Sequence, residues 1–229
     1  MNTADLNKLK KEHPFEQVSK LIYECLRREI LELKLKPNTK LNESKFAAEL
    51  GVSRSPVKNA FDALIAEGLL IKEKNKIPMV APFCMADCLK ICEARISVEG
   101  SAAYYAAKFI TKKQLDNLYK LQEQYVECLA SDKNPVEAAK IDYQFHTEIV
   151  NSSGNKYLKI MYDYIGIYTL RNRCYLQYLI GSEKSRTELQ NREKGHDAII
   201  FAIEKGLPEI ARQEIAQDIG GMLEMYFLR

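Results

Sequence analysis

The stretch "LGVSRSPVKNAF", residues 50–61, has the signals of a tight turn that leads into a helix. Gly51 suits the left-handed position that follows a helix. Ser53 can cap the next helix, since its hydroxyl can accept a hydrogen bond from a free amide of the first turn. Pro56 fits that first turn, where no intrahelical donor is needed. The stretch therefore predicts two helices joined by a short turn.

The start of the second helix, predicted over 53–67, has the chemistry of a phosphate-binding surface. A helix N-terminus favours anions, and Arg54, Ser55 and Lys58 add two cations and a hydroxyl there. In the functional interpretation, Arg54 reads guanine or clamps a phosphate, while Ser53, Ser55 and Lys58 hold the backbone of duplex DNA. In the alternative, the same residues form the solvated face of a helix in an ordinary bundle.

The flanking segments complete a winged helix-turn-helix. Apolar residues recur at helical spacing over 15–33, and Asn42 can cap a further helix that ends at residue 50. Two short strands are predicted at 69–73 and 77–81, around a polar tip. Helix, helix, turn, helix and hairpin is the order of a winged helix-turn-helix. The start of the middle helix and the hairpin tip supply further candidate DNA contacts: Ser44, Lys74, Asn75 and Lys76.

The remainder of the chain predicts an all-α domain that begins after Phe83. Its helices are expected at about 85–108, 112–131, 135–151, 155–180, 184–205 and 208–228, with breaks at residues such as Gly181. The predicted fold class is mainly α: a winged helix-turn-helix with a small β-hairpin wing, followed by a bundle of about six helices. The predicted parts are a flexible tail (1–14), a DNA-binding domain (15–83) and a helical ligand-binding and dimerisation domain (84–229).

Composition and charge limit the function classes. Residues 1–83 contain 15 Lys and Arg against 11 Asp and Glu, a net charge of +4, whereas residues 84–229 carry a net charge of −1. A basic N-terminal part favours nucleic-acid binding at that end. The chain has no apolar run near the ~18 residues that span a bilayer, and its N-terminus has no signal-peptide core. Its six cysteines do not resemble a secreted disulfide framework. We therefore expect a cytoplasmic protein without a membrane partner.

Several of these motifs carry a family resemblance. "PNTKLNE", "LGVSRSPV" and "AEGLL", all within 37–70, resemble the DNA-binding domain of GntR-family transcriptional regulators. The helical remainder is similar to the FCD ligand-binding domain of the FadR-like subfamily. The matching residues there are Arg95-x-x-x-Glu99, Asp142-x-x-x-His146 and "HDAIIFAIEKG" at 196–206. The resemblance implies a ligand-responsive transcriptional regulator rather than an enzyme.

Two departures from the family pattern bear on function. Ile77 and Pro78 stand where the wing tip of the family usually contains a glycine, so the wing is expected to contact the minor groove differently. The FCD metal site usually has one aspartate and three histidines, whereas this region has only two histidines. By alignment with the family, Asp218 takes the place of the last histidine. The resemblance therefore implies a metal site that is richer in oxygen.

Four ionisable residues on three predicted helices fall on apolar faces. At roughly 100° per residue, Asp142 and His146 lie inside the apolar arc of their helix, and His196 and Asp218 lie on the apolar sides of theirs. Burying two carboxylates without partners would be very costly, and a divalent metal would compensate those charges. Two nitrogens and two carboxylates fit zinc, nickel, manganese or iron without selecting among them. The alternative is a hydrogen-bonded Asp–His pair without a metal.

Arg95 also falls on an apolar face and requires an anion. Glu99, one helical turn away, is one candidate partner, and the carboxylate of a bound ligand is the other. The cysteines that recur every four residues from the start of the helical domain leave two interpretations open as well. A zinc or redox site is one, and small core side chains are the commoner one; the residues are Cys84, Cys88 and Cys92.

Three functions follow from these patterns. The first is a regulator that binds a pseudo-palindromic double-stranded DNA operator as a homodimer and senses a small organic acid. A dimer is expected because pairing two readers raises their effective concentration on DNA. The second is a primary metal sensor, in which the metal is itself the signal. The third is a metal-dependent hydrolase, which would need a base or nucleophile beside an open metal position, and the sequence offers no obvious candidate.

Overall fold

The computed structural model describes residues 3–130, 135–182 and 196–227. The chain divides into two compact units, residues 1–83 (unit 1) and residues 84–229 (unit 2). Among the helices of the described ranges, none is long and apolar enough to cross a membrane.

Unit 1 has the predicted winged helix-turn-helix fold. Two strands pair in antiparallel fashion, with Leu70 opposite Val80, and Lys40 adds a single bridge to Met79. The strands are shorter than predicted, because only two residues of each form ladder hydrogen bonds. The elements are α1 (Thr3–Glu12), α2 (Val18–Leu31), α3 (Glu43–Leu50), α4 (Arg54–Ala66), β1 (Leu70–Ile71) and β2 (Met79–Val80).

The core of unit 1 lies where α4 packs against α2 and α3. Val57, Phe61 and Leu64 of α4 are fully buried, as the apolar spacing predicts. The Phe61 ring lies 5.9 Å from that of Phe46 on α3. Each such side chain contributes roughly 1.5–3 kcal/mol by its burial. Because one face of α4 is committed to this core, its polar face remains at the surface.

The N-terminal segment differs from the prediction. Residues 3–12 form α1 instead of a flexible tail. The physical reason is Leu6, whose side chain is fully buried where α1 packs against α2 and α3. A single buried leucine in a polar stretch is a weak pattern, so the sequence does not separate this helix from a solvated tail. The next helix is also shorter than predicted, since Leu33 has a left-handed φ of 57°.

Unit 2 is all helical in its described part, as predicted. α5 packs against α7, α8 and α10, and α7 also packs against α6 and α8. Gly181 does not break α8, and the predicted helical residues 131, 184–195 and 228 lie outside the described ranges. The elements are α5 (Met85–Phe109), α6 (Lys112–Ala130), α7 (Pro135–Ser152), α8 (Lys156–Ser182), α9 (described over 196–204) and α10 (Pro208–Phe227).

Candidate DNA-reading surface and metal centre

The turn between α3 and α4 has the predicted backbone. Gly51 ends α3 in the left-handed conformation, with φ 65°, where a side chain would be strained. Asn42 caps α3, because its Oδ1 accepts from the amides of Ser44 and Lys45, each at 3.0 Å. Ser53 occupies the N-cap position of α4, but its side chain forms no capping hydrogen bond. The prediction of a hydroxyl cap is therefore wrong.

The predicted reading residues of α4 share one exposed surface. Ser53, Arg54, Ser55 and Lys58 are all exposed at the beginning of the helix. Lys58 Nζ lies 3.7 Å from Asp62 one turn further on, and both groups are largely in solvent. Such an exposed pair contributes little stability, so Lys58 can leave Asp62 for a phosphate at low cost.

The wing presents the other predicted contacts. Asn75 at its tip has a left-handed φ of 60°, a conformation that asparagine tolerates better than most residues other than glycine. This explains how the hairpin turns without the glycine that is usual in the family. Lys74, Asn75 and Lys76 are exposed, and Lys76 Nζ lies 2.5 Å from Glu73. Lys72 Nζ binds Glu43 at 2.8 Å and so links the wing to the beginning of α3.

Three of the four predicted metal ligands of unit 2 come together, and the fourth contacts one of them. Donor atoms of Asp142, His146 and His196 all lie within 4.8 Å of one another. Asp218, on α10, reaches the same place, with Oδ2 3.2 Å from His146 Nε2. His196 Nε2 lies 3.1 Å from Asp142 Oδ1. Asp142, His146 and His196 are buried, so water does not screen the charges of this cluster.

The Nδ1 atoms of both histidines point away from the donor set, and their partners fix the tautomer of each neutral ring. His146 Nδ1 lies 2.6 Å from Glu99 Oε2, and a carboxylate only accepts, so Nδ1 carries the proton. His196 Nδ1 lies 2.7 Å from Gln122 Oε1, whose amide nitrogen is oriented by Asp197 at 3.3 Å. A proton on an inner Nε2 would let it donate to the facing carboxylate; without that proton, in the form that binds a metal, its lone pair faces a carboxylate oxygen. A cation between them would remove that repulsion.

Ionised carboxylates surround the histidines. Burial by itself would raise the pKa of Glu99, but the charges of Arg95, His146 and Arg173 outweigh it and lower the pKa to about 2. Burial would lower the pKa of His146, but the carboxylates of Glu99 and Asp218 outweigh it and hold that pKa above its ordinary value. Burial would likewise raise the pKa of Asp218, and His146 holds it below the ordinary value. The cluster therefore concentrates negative charge where the two Nε2 atoms meet.

Two buried arginines border the cluster. Arg95 Nε and Nη2 lie 2.7 Å and 3.4 Å from the two oxygens of Glu99, so its guanidinium fork is already engaged by protein. The structure thus favours Glu99 over a ligand carboxylate as the partner of Arg95. Arg173 of α8 contacts Asp142 Oδ2 directly and lies 3.9 Å from Glu99 Oε2. Arg173 is therefore the guanidinium nearest the donor set.

Sequence reasoning missed Gln122 and Arg173, and it recognised Glu99 only as a partner of Arg95. A weak signal exists for the first two. Gln122 stands among the buried apolar residues of α6, and Arg173 falls on the buried face of α8. The Cys92 thiol lies beside Cys88 and Arg95 at the border of the cluster, and the Cys88 contact and the charge of Arg95 lower its pKa to about 7. All three thiols of the series are free, with Cys88 and Cys92 buried and Cys84 exposed at the N-cap of α5. This favours the interpretation as core side chains.

A winged helix-turn-helix with an exposed basic reading face, followed by a helical domain, defines a DNA-binding transcriptional regulator. The sequence matches the family described as bacterial regulatory proteins, gntR family, over residues 18–76, and the FCD domain over residues 90–220. The chain belongs to the GntR family of transcriptional regulators, in the group with an FCD domain.

Proteins that are similar in sequence are also transcriptional regulators. The uncharacterized HTH-type transcriptional regulator YdhC of Bacillus subtilis is 25% identical over 84% of this chain and 84% of its own length. A probable D-xylose utilization operon transcriptional repressor of Paenarthrobacter nicotinovorans is 25% identical over 85% of this chain and 82% of its own. The HTH-type transcriptional repressor RspR of Escherichia coli is 29% identical over 58% of each chain. These relatives are regulators and not enzymes.

Solved structures share the fold. A putative GntR regulator from Rhodococcus sp. RHA1 superposes with a TM-score of 0.72, covering 90% of this chain and 96% of its own at 17% identity. McbR/YncC of Escherichia coli superposes with a TM-score of 0.71, covering 93% of this chain and 100% of its own at 18% identity. At this identity the likeness concerns the fold alone.

Proposed function

We propose that this regulator is ligand-responsive: one divalent metal, held by Asp142, His146, His196 and Asp218, helps unit 2 to bind a small organic acid. The observation that carries the proposal is the pair of buried Nε2 atoms that face carboxylate oxygens at 3.1 and 3.2 Å. In the neutral rings, the contacts of Nδ1 with Glu99 and Gln122 direct the lone pairs of those nitrogens inward, which is the form that binds metal ions.

The residues fit a divalent ion by chemistry as well as by position. Imidazole suits zinc, iron and nickel, while carboxylate suits manganese, so two of each allow any of these ions. The outer contacts of both histidines are those that commonly orient metal-binding imidazoles. When bound, the ion would supply a Lewis-acidic centre to which a ligand carboxylate can coordinate. The protein residues orient the donors and exclude water around them.

Charge explains why the ligand would be an anion. Within the described cluster, the carboxylates of Glu99, Asp142 and Asp218 face the guanidiniums of Arg95 and Arg173. With neutral histidines this leaves one net negative charge, which repels a carboxylate. A divalent ion reverses the balance to one net positive charge, and one carboxylate would neutralise it. We propose Arg173 rather than Arg95 as the ligand contact, because Arg173 lies nearest the donor set and its partner Asp142 would turn to the metal.

We assign DNA binding to residues 15–83, through the exposed residues of α4, Ser44 at the start of α3, and the wing tip. One reading helix per chain offers limited contact with DNA, so we propose that a homodimer binds a pseudo-palindromic operator. The helical unit, 84–229, would hold the dimer together and receive the effector. The effector must bind with different affinities to the dimer conformations that bind DNA well and poorly, since otherwise it does not change DNA affinity.

The test is a titration of DNA affinity after removal of metals with a chelator. Duplexes selected by the protein from a random library serve as the probe, and Mn²⁺, Zn²⁺ and a panel of small carboxylic acids are added singly and together. A response to acids that appears only with metal supports the proposal. A full response to metal alone would instead make the protein a primary metal sensor. Failure to bind any divalent ion at neutral pH would contradict both.

A further inference from the structure

One face of α8 carries large apolar side chains in solvent. Tyr164 is 80% exposed and Tyr157 65% exposed, although both are aromatic. Ile160 and Met161 are about half exposed, at 49% and 47%, and Tyr168 is 36% exposed. We call this face the α8 stripe; it consists of Tyr157, Ile160, Met161, Tyr164 and Tyr168.

The α8 stripe is a coherent surface rather than scattered residues. At roughly 100° per residue, its five members fall within an arc of about 100° on the helix. The opposite side of α8 holds the buried residues Leu158, Tyr162 and Thr169, which face the core of unit 2. The core therefore lies on one side of α8 and the stripe on the other. Tyrosine and methionine are enriched at protein interfaces, and contiguous apolar patches of more than a few hundred Å² are rare on monomers and mark interaction sites.

The stripe has the area that a specific interface needs. A fully buried aromatic side chain covers 150–250 Å², so the exposed fractions of the three tyrosines amount to roughly 360 Å². Half-exposed Ile160 and Met161 bring the total to about 500 Å² for each chain. Two copies that meet through the stripe would bury about 1,000 Å², which is the size at which a specific protein interface becomes credible.

The spacing of the stripe fits a second copy of itself. Tyr157 and Tyr168 are equidistant from a point between residues 162 and 163, and so are Met161 and Tyr164. A two-fold axis at that point would place Tyr157 against Tyr168 of the other copy, and Met161 against Tyr164. Interfaces in two-fold dimers are self-complementary in this way. A foreign partner would require no such symmetry.

Charged residues at the border do not oppose this pairing. Lys156 and Asp163 are exposed beside the stripe and carry opposite charges. Lys159 Nζ already binds Asp163 within the helix. The flank therefore carries one net positive charge, that of Lys156, which lies over the Tyr157 ring. A two-fold axis between residues 162 and 163 would put Lys156 at opposite ends of the stripe in the two copies, about 20 Å apart along the helices, so the like charges would not meet.

We infer that the α8 stripe is the surface through which two copies of this chain form the homodimer, with their α8 helices antiparallel across a two-fold axis. This inference rests on the homodimer of the proposed function and adds its location. The other exposed apolar residues of unit 2 offer a weaker alternative. On α5, Tyr105 and Phe109 stack on each other at 6.4 Å, and so already cover part of their apolar area.

The test compares Tyr164→Glu with Phe109→Glu by sedimentation equilibrium of the full chain. Both replace an exposed aromatic residue of unit 2 with a charge, since Phe109 is 62% exposed. We expect wild type and Phe109→Glu to be dimers, and Tyr164→Glu to raise the dimer Kd by about 100-fold, as for a central interface residue. Tyr157→Glu, nearer the edge of the stripe, should raise it by about 10-fold.

The outcomes test the location of the interface separately from the existence of the dimer. A dimeric Tyr164→Glu with an unchanged Kd would refute the α8 stripe and leave the homodimer standing. Dissociation by Phe109→Glu instead would place the interface on α5. A monomeric wild type would overturn both proposals. Far-ultraviolet circular dichroism checks that each variant is folded, and if Tyr164→Glu is not, Tyr157→Glu decides in its place: an unchanged Kd refutes the stripe.

Discussion

The reading surface of unit 1 and the buried cluster of unit 2 are built in opposite ways. The first comes from α4, the start of α3 and the wing tip, so its residues are exposed to solvent and stand in short runs of sequence neighbours. The second draws side chains from α5, α6, α7, α8, α9 and α10, and nearly all of them are buried. Partners such as Glu99 and His146, or Gln122 and His196, are 47 and 74 residues apart.

The two sites should therefore respond differently to mutation. Exposed residues act nearly independently, because solvent screens them and few share a partner. Buried ionised residues share partners, so the loss of one leaves others uncompensated. Each substitution on the reading surface is therefore expected to lower DNA affinity by a small amount, independently of the others. The cluster is expected to lose stability and metal binding together.

The largest effect is expected at Glu99, which joins Arg95 to His146 in the buried cluster. Glu99→Gln keeps the shape but removes the charge, and should lower the free energy of unfolding by about 3–5 kcal/mol, because Arg95 is left as an uncompensated buried cation. Urea denaturation measures this. Glu209→Gln is the matched control: its pair with Arg212, at 3.8 Å, is exposed and should matter by less than about 1 kcal/mol. Equal losses of unfolding free energy in the two variants would show that the buried cluster is no more sensitive to charge removal than an exposed pair.

His196→Ala should weaken binding of Mn²⁺ or Zn²⁺ by more than about 100-fold, since loss of even an outer partner of a metal-bound histidine costs 10–100-fold. Isothermal titration calorimetry on chelator-treated protein measures it. His13→Ala removes an exposed histidine of unit 1 and should leave metal affinity unchanged. Retained affinity in His196→Ala would exclude His196 from the site.

Arg54→Ala probes the reading helix without touching a core. If Arg54 contacts a base edge, the variant should lose about 1–3 kcal/mol of affinity and also lose discrimination at one operator position. Competition binding with duplexes that vary one base pair at a time is the measurement. Unchanged affinity for every duplex would show that α4 is not the reading helix in the way proposed.

Lys58→Ala should have the smallest effect. A phosphate contact has no sequence preference, so affinity should fall evenly for all duplexes, and the slope of log affinity against log salt should decrease by about 1. Lys120→Ala, an exposed lysine on α6, is the control and should leave the slope as in wild type. A sequence-dependent loss in Lys58→Ala would mean that this residue reads bases instead.

The sequence predicted local features well where a local physical rule decides them. Gly51 in the left-handed turn and Asn42 as a cap follow from single-residue conformational preferences, and both are confirmed. The alternation of buried and exposed positions on α4 follows from helical periodicity. Ser53 shows the limit of such rules, because its position is correct while its hydroxyl does not cap the helix. The choice among several hydrogen-bond partners depends on neighbours that the pattern does not reveal.

Helical period and turn chemistry act over a few residues, so the sequence alone predicted the helical fold class, the winged reader, and the apolar placement of Asp142, His146, His196 and Asp218. The folded packing was needed to show that Asp142, His146 and His196 meet, that Asp218 contacts His146, that Glu99 and Gln122 bind the Nδ1 atoms of the histidines, and that Arg173 borders them. Those contacts join helices far apart in the chain. Their geometry depends on how whole helices pack, and no short stretch of sequence encodes that alone.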